Sequence, residues 1–173
     1  AWALNPETPR PVQKDQVLPT GGGLRNIIPY YELPALEVMH HFIPQAPLRV
    51  SALRSLGGFA NTFAIESFMD ELAEVSKVDP LEFRLRHLSD LRAKNVLQAT
   101  ADSAKWHARG SGGDGNGCGI AFGRYKNHAG YCAIIVQLMV SESIHLQEVW
   151  CTVDAGRIVH RDGLLNQIEG GLL

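Results

Sequence analysis

The hydrophobic period of this chain changes once, and that change limits the fold more than any other feature. Between Asn61 and Trp106, apolar residues recur at helical spacing in three successive blocks. From Cys118 to Val153 they come in short runs rich in β-branched and aromatic residues, with turn residues between. Side chains return to one face about every 3.6 residues in a helix and every second residue in a strand, so the two patterns cannot exchange. The chain is therefore read as α+β: a three-helix segment, then an antiparallel sheet, then a C-terminal helix.

The first helix is expected from about Asn61 to Ser76, with Asn61 as its cap. Its apolar stripe is Ile65, Phe68, Met69 and Leu72, and Glu66, Asp70, Glu71 and Glu74 read as the solvated or ion-paired face. The second helix has a strong local start: Asp79 as cap, Pro80 at the first helical position and Glu82 completing a capping box. Leu81, Leu85 and Leu88 form its stripe. The third begins near Asp90, carries Ala93, Leu97, Ala101 and Ala104 on one face, and closes at Trp106.

Strands are expected at Cys118 to Tyr125, Tyr131 to Val140 and Ile144 to Val153, followed by a helix from about Asp162. Ahead of the helices, six of the nine prolines fall in residues 1–34, which read as an extended segment. The runs Leu36 to Ile43 and Leu48 to Leu53 read as two short strands.

The 173 residues can bury a real core. Apolar content of 45%, charged content of 20% and a net charge of −2 match a globular protein and lack the basic stripe of a nucleic-acid binder. No apolar run approaches the ~18 residues of a membrane span. The chain shows neither a start signal nor a signal peptide, and Leu173 falls inside what reads as an unfinished helix, so it is read as an internal fragment. Cys118, Cys132 and Cys151 form no C-x-x-C pair, so no iron–sulfur or zinc site is expected from this chain alone.

Several segments could carry chemistry. Arg54 with Gly57-Gly58 leads into the first helix, where free N–H groups and close backbone approach suit an anionic ligand. The same residue types also read as a plain turn with Arg54 in a surface ion pair. Six glycines in Gly110 to Gly119 follow a helix and open a strand, the reverse of a phosphate-binding loop, so a mobile connection is expected. His40 and His41, in an expected strand, would point to opposite faces and could not share a metal. Gln167, on a helix after the Asp154-Ala155-Gly156 turn, can offer a donor and an acceptor to a heterocycle or phosphate, or serve only as an exposed amide.

In this order the blocks resemble the large subunit of the molybdenum hydroxylases, the xanthine dehydrogenase and aldehyde oxidase family, and within it the isoquinoline 1-oxidoreductase beta subunits. They are Leu53-Arg54-Ser55-Leu56-Gly57-Gly58, Ala64 to Ala73, Asp79-Pro80-Leu81-Glu82-Phe83-Arg84, Gly119-Ile120-Ala121, Val153-Asp154-Ala155-Gly156 and Gln167-Ile168-Glu169-Gly170-Gly171. The resemblance implies a molybdenum–molybdopterin cofactor, in the cytosine dinucleotide form, and hydroxylation of an aldehyde or N-heterocycle with water as oxygen source. It implies iron–sulfur clusters on a 2Fe–2S small subunit, contact with the rest of the large subunit, and a cytochrome as one electron acceptor. Arg54 matches the arginine beside the molybdenum site. Leu56 matches a substrate-pocket position that is aromatic in purine-oxidising members, so leucine argues against a purine. Gly57, Gly58, Gln167 and Gly170 match cofactor-side positions. His160-Arg161 stands where many members have Asn-Pro.

The family's glutamate base lies in a Gly-x-Gly-Glu segment that this chain does not contain, and Glu66 and Glu169 do not match it. Activity from the chain alone is therefore not expected. The implied organisation is a Pro-rich segment over 1–46, a helical part of the molybdopterin-binding domain over 47–109 and a β-rich part over 110–173. The compartment stays open between bacterial cytoplasm and periplasm. A non-catalytic structural or interaction module is the competing reading.

Overall fold

The computed structural model describes residues 22–41, 53–110 and 112–172. They fall into two compact units, one of residues up to Ser89 together with Tyr125–Asn127, the other of Asp90–Arg124 and His128 onward.

In the first unit, α1 (Gly58–Val75) and α2 (Pro80–Arg86) pack together. Helix α1 starts three residues before the expected Asn61, and its cap, Gly57, makes no side-chain capping bond. Asn61 instead donates its amide to the carbonyls of Gly23 and Arg25, at 2.9 and 2.8 Å. The buried face is also turned from the expected stripe. Glu66, Met69 and Ala73 are buried, whereas Phe68 is exposed. The cause is Arg84 of α2, which is fully buried and draws Glu66 inward. Helix α2 begins as its sequence dictates, with the Asp79 carboxylate accepting from Leu81 N at 2.9 Å and Glu82 N at 3.4 Å.

Residues 36–41 are exposed and carry no strand. A strand needs a neighbour to take its ladder bonds, and the sheet of the described residues holds only the three later strands. His40 and His41 therefore lie on no strand that would send them to opposite faces. Most of the second expected strand, and residues 1–21 of the Pro-rich segment, lie outside the described residues.

In the second unit, α3 (Leu91–Ser103) packs on an antiparallel sheet of β1 (Asn116–Arg124), β2 (Tyr131–Val140) and β3 (Ile144–Asp154), in the order β1-β2-β3. Asp90 caps α3 by accepting from Arg92 N at 2.9 Å. Ala93, Val96, Leu97 and Ala101 supply the helix side of the core, and Ile120, Phe122, Ala133 and Ile135 the sheet side. Helix α3 ends at Ser103, before the expected close at Trp106, which is buried at the start of a short 3-10 turn. The glycine-rich connection has a structural reason. Gly112, Gly113 and Gly115 have positive φ, and a Cβ on Gly115 would stand 2.1 Å from the Val140 carbonyl oxygen. Helix α4 (Arg161–Leu172) follows β3 and has no buried residue. Its start is closed by the His160 ring, whose Nδ1 accepts from Gly163 N at 2.8 Å.

Candidate cofactor-binding residues

The turn before α1 is a tight knot of backbone. Leu56 N donates to Leu53 O and Gly58 N to Ser55 O, both at 3.0 Å. Ser55 and Leu56 both lie in the left-handed region, with φ of 71° and 55°. Such a pair of non-glycine residues stores strain that the surroundings must hold. The holding contact comes from the strap at 22–26. Gly57 N donates to Gly22 O at 2.8 Å, and a Cβ on Gly57 would stand 2.3 Å from Gly23 O. The close approach that the Gly57-Gly58 pair allows is thus made to the chain's own backbone. Gly58 is buried against the Tyr125 ring and Asn26 Oδ1. Asn26 is itself fixed, accepting from Lys126 N at 2.9 Å and donating to Asn127 Oδ1 at 3.1 Å.

This knot leaves Arg54 exposed and Leu56 half-buried. Near it, the strap presents a feature that spacing could not reveal. Arg25 Nε is buried with no hydrogen-bond partner among the described residues. A buried donor without an acceptor is uncommon, and its need is met by an anion or a polar ligand group.

The remaining predicted residues belong to the second unit. Asp154 ends β3, accepts from Gly156 N at 2.9 Å and takes a two-pronged bond from Arg92, at 2.8 and 2.7 Å. The Arg92 hydrogen bonds, helped by the Gly156 amide, pull the Asp154 carboxyl down to about 2. Gly156 has a φ of 73°, which glycine adopts without penalty. Gln167 is exposed on α4, and a Cβ on Gly170 would meet nothing within 4 Å. The Asp154 turn is also braced by a cluster that the sequence did not announce. Arg92 and Arg124 both stand over the Tyr131 ring, 4.8 and 4.2 Å from its centre, and the Tyr131 hydroxyl donates to Asp90 at 2.7 Å.

A separate cleft of about 1110 Å³ opens in the same unit, lined by Lys105, Arg109, Gln137, Glu148, Trp150 and the glycine connection. None of the predicted site residues lines it. No group of three or more His, Cys, Asp or Glu is placed to hold a metal among the described residues. No helix among them is long and apolar enough to cross a membrane.

Residues 14–88 match the model of the molybdopterin cofactor-binding domain. The chain is 34% identical over 168 residues to a nicotinate dehydrogenase subunit of Pseudomonas putida, covering 87% of this chain and 14% of that protein. It is 30% identical over 148 residues to the beta subunit of isoquinoline 1-oxidoreductase of Brevundimonas diminuta, covering 83% of this chain and 19% of that protein. This chain belongs to the molybdenum hydroxylase large subunits, the molybdopterin-binding family. A membrane-bound aldehyde dehydrogenase (pyrroloquinoline-quinone) of Gluconacetobacter polyoxogenes is 26% identical over 165 residues, covering 83% of this chain and 21% of that protein. The chain thus spans between about one seventh and one fifth of the length of these relatives. No solved structure matches it.

A molybdopterin cofactor is large, polar and anionic, and the chemistry of the Arg54 side fits it. The strap supplies an orphaned guanidinium donor, and Arg54 stands exposed at the entry to an 18-residue helix. Both features lie within the residues up to 88 that match the domain model.

Proposed function

We propose that this chain contributes cofactor- and substrate-side residues to an oxidoreductase that hydroxylates an aldehyde or an N-heterocycle with water as oxygen source. The observation that carries this reading is the strained turn at Ser55 and Leu56, both left-handed and locked by the Gly22–Gly57 bond. Strain of this kind persists where a side chain must be held in one place, and here the neighbouring side chain is Arg54. The cofactor, in the cytosine dinucleotide form, supplies the redox and oxygen-transfer chemistry when bound.

The roles of the residues follow from their chemistry. Arg54 offers a fixed positive charge and a planar fork of donors to an anionic group on the substrate or cofactor. Leu56 gives an apolar wall without a ring to stack on, which favours a small aldehyde or a single-ring heterocycle over a purine. Gly57 and Gly58 act on the cofactor through the turn they build, since the Gly57 amide is already bonded. Gln167 and Gly170 are assigned to the cofactor side of α4, where both residues are exposed. Residues 47–109 and 110–173 serve as two parts of one molybdopterin-binding domain. Electrons leave through iron–sulfur clusters on a 2Fe–2S partner subunit toward an acceptor such as a cytochrome.

In the complete enzyme, Arg54→Ala should cut turnover by at least about tenfold with molybdenum content kept. Gln167→Ala should lower cofactor occupancy, read by molybdenum and pterin content. Unchanged turnover in the first variant and unchanged occupancy in the second would remove the assignment. A second reading, a non-catalytic interaction module, is favoured by the exposed Phe59, Phe63 and Phe68 of α1. It requires that the complete protein carry no molybdenum.

A further inference from the structure

Cys132 of β2 and Cys151 of β3 stand in contact on one face of the sheet, with their sulfurs 3.7 Å apart. In sequence they form no C-x-x-C pair and stand nineteen residues apart. The register shows why they meet. Cys132 lies opposite Val153 and Cys151 opposite Ile134, so the two are diagonal neighbours across the β2–β3 ladder. They alternate with the buried Tyr131, Ala133 and Ile135, which places them on the face away from α3. Both are half-buried free thiols. No catalytic role uses them.

We propose that Cys132 and Cys151 form a reversible dithiol–disulfide site that is oxidised by hydroperoxides. The Cys151 thiolate attacks one oxygen of hydrogen peroxide; the S–O bond forms, the O–O bond breaks, and hydroxide leaves and is protonated by solvent. The Cys132 sulfur then attacks the sulfenic sulfur of Cys151, forming the S–S bond as the oxygen leaves as water and Cys132 gives up its proton. In sum, two thiols are oxidised to one disulfide and the peroxide is reduced to two waters.

The environment divides the labour between the two sulfurs. The Cys132 S–H can donate to a Cys151 thiolate, which lowers the Cys151 thiol to about 7 against an opposing effect of burial. The same shared proton, together with burial, pushes Cys132 upward. Cys118 is the internal comparator. It is exposed, has no thiol neighbour among the described residues, and is raised by burial of its sulfur.

The diagonal placement decides what kind of disulfide results. Bonding distance is about 2.05 Å, and relaxed disulfides join Cβ atoms about 3.8 Å apart, closer than diagonal neighbours usually stand. Closing the bond must draw β3 along β2. Strand β3 can yield, because it is an edge strand among the described residues and carries a register shift opposite Gln137 and Leu138. A disulfide formed under that constraint is readily reduced, so the site cycles.

The test treats the intact enzyme with hydrogen peroxide, caps the remaining thiols with N-ethylmaleimide and maps the peptides by mass spectrometry. The expected product links the Cys132 and Cys151 peptides, disappears with dithiothreitol, and forms about tenfold faster than any oxidation of Cys118. In Cys132→Ser the reaction should stop at a Cys151 sulfenic acid that dimedone traps. Both thiols remaining open to the maleimide while Cys118 oxidises would overturn the proposal. So would a Cys132→Ser protein that gives no dimedone adduct at position 151. The wild-type rates need no variant, so a misfolded mutant does not blur the outcome.

Discussion

The two units each hold an arginine against carboxylates, and the two arrangements work in opposite ways. In the first unit Arg84 is fully buried, donating to Glu66 at 2.9 Å, to Asp70 at 2.6 Å and to two backbone carbonyls. Burial, the largest single influence, would lower the Arg84 guanidinium, but Glu66, Tyr31 and Asp70 together outweigh it and hold the guanidinium firmly protonated. In the second unit Arg92 and Asp154 make an equally good fork, but both stand in water, with side chains 51% and 33% exposed. A buried cluster is costly to break because the partner left behind keeps its charge without water. A surface pair is screened and replaced by solvent. The first unit is therefore organised around a charge, and the second around an apolar helix–sheet core.

The sharpest way to break this contrast is Arg84→Met, which leaves Glu66 buried without the Arg84 charge. It should destabilise the first unit by about 3–5 kcal/mol, read by urea unfolding. The matching change in the second unit is Leu97→Ala, since Leu97 is fully buried on α3. A cavity there should cost about 2–5 kcal/mol, and hydrogen exchange should place the loss in the sheet and α3. Tyr31→Phe removes a buried hydroxyl that donates to Glu66 at 2.8 Å. A hydrogen bond to a charged group contributes about 1.5–3 kcal/mol, so this variant should fall below Arg84→Met.

The smallest effect belongs to Arg92→Ala, which should change the unfolding midpoint least of the set. Its signature lies in the titration of Asp154. The folded carboxyl is depressed from 3.8 to about 2, so its contribution is present above the unfolded value and is lost as pH falls between the two. Removing Arg92 should return Asp154 toward the ordinary value, followed by carboxyl NMR shifts. A midpoint that stays near 2 would transfer the effect to the Gly156 amide and weaken the contrast.

These clusters also explain what the sequence made legible. Features fixed by neighbours along the chain were readable: the Asp79-Pro80 start of α2, the strand limits set by turn residues, and the order of helices before sheet. The Arg54 to Gly58 turn was readable for the same reason. Features fixed across the chain were not. Glu66 looks like a solvent-facing acid until Arg84, eighteen residues later, draws it inward. Asn61 has a capping side chain but lies inside α1, where it serves the strap. Leu36 to Ile43 has the composition of a strand, yet its described part has no neighbour to pair with. The Arg25 donor is visible only once its surroundings close around it.

The bond between Gly57 and the Gly22–Gly23 strap joins stretches of sequence that are not contiguous. A lesion at Gly22 or Gly23 would loosen the turn that carries Arg54 and mimic the loss of Arg54 itself. Genetic screens for activity would then return hits in the strap that touch no ligand. Any graft of the Arg54 turn onto another scaffold must bring the strap with it as a second, non-contiguous piece.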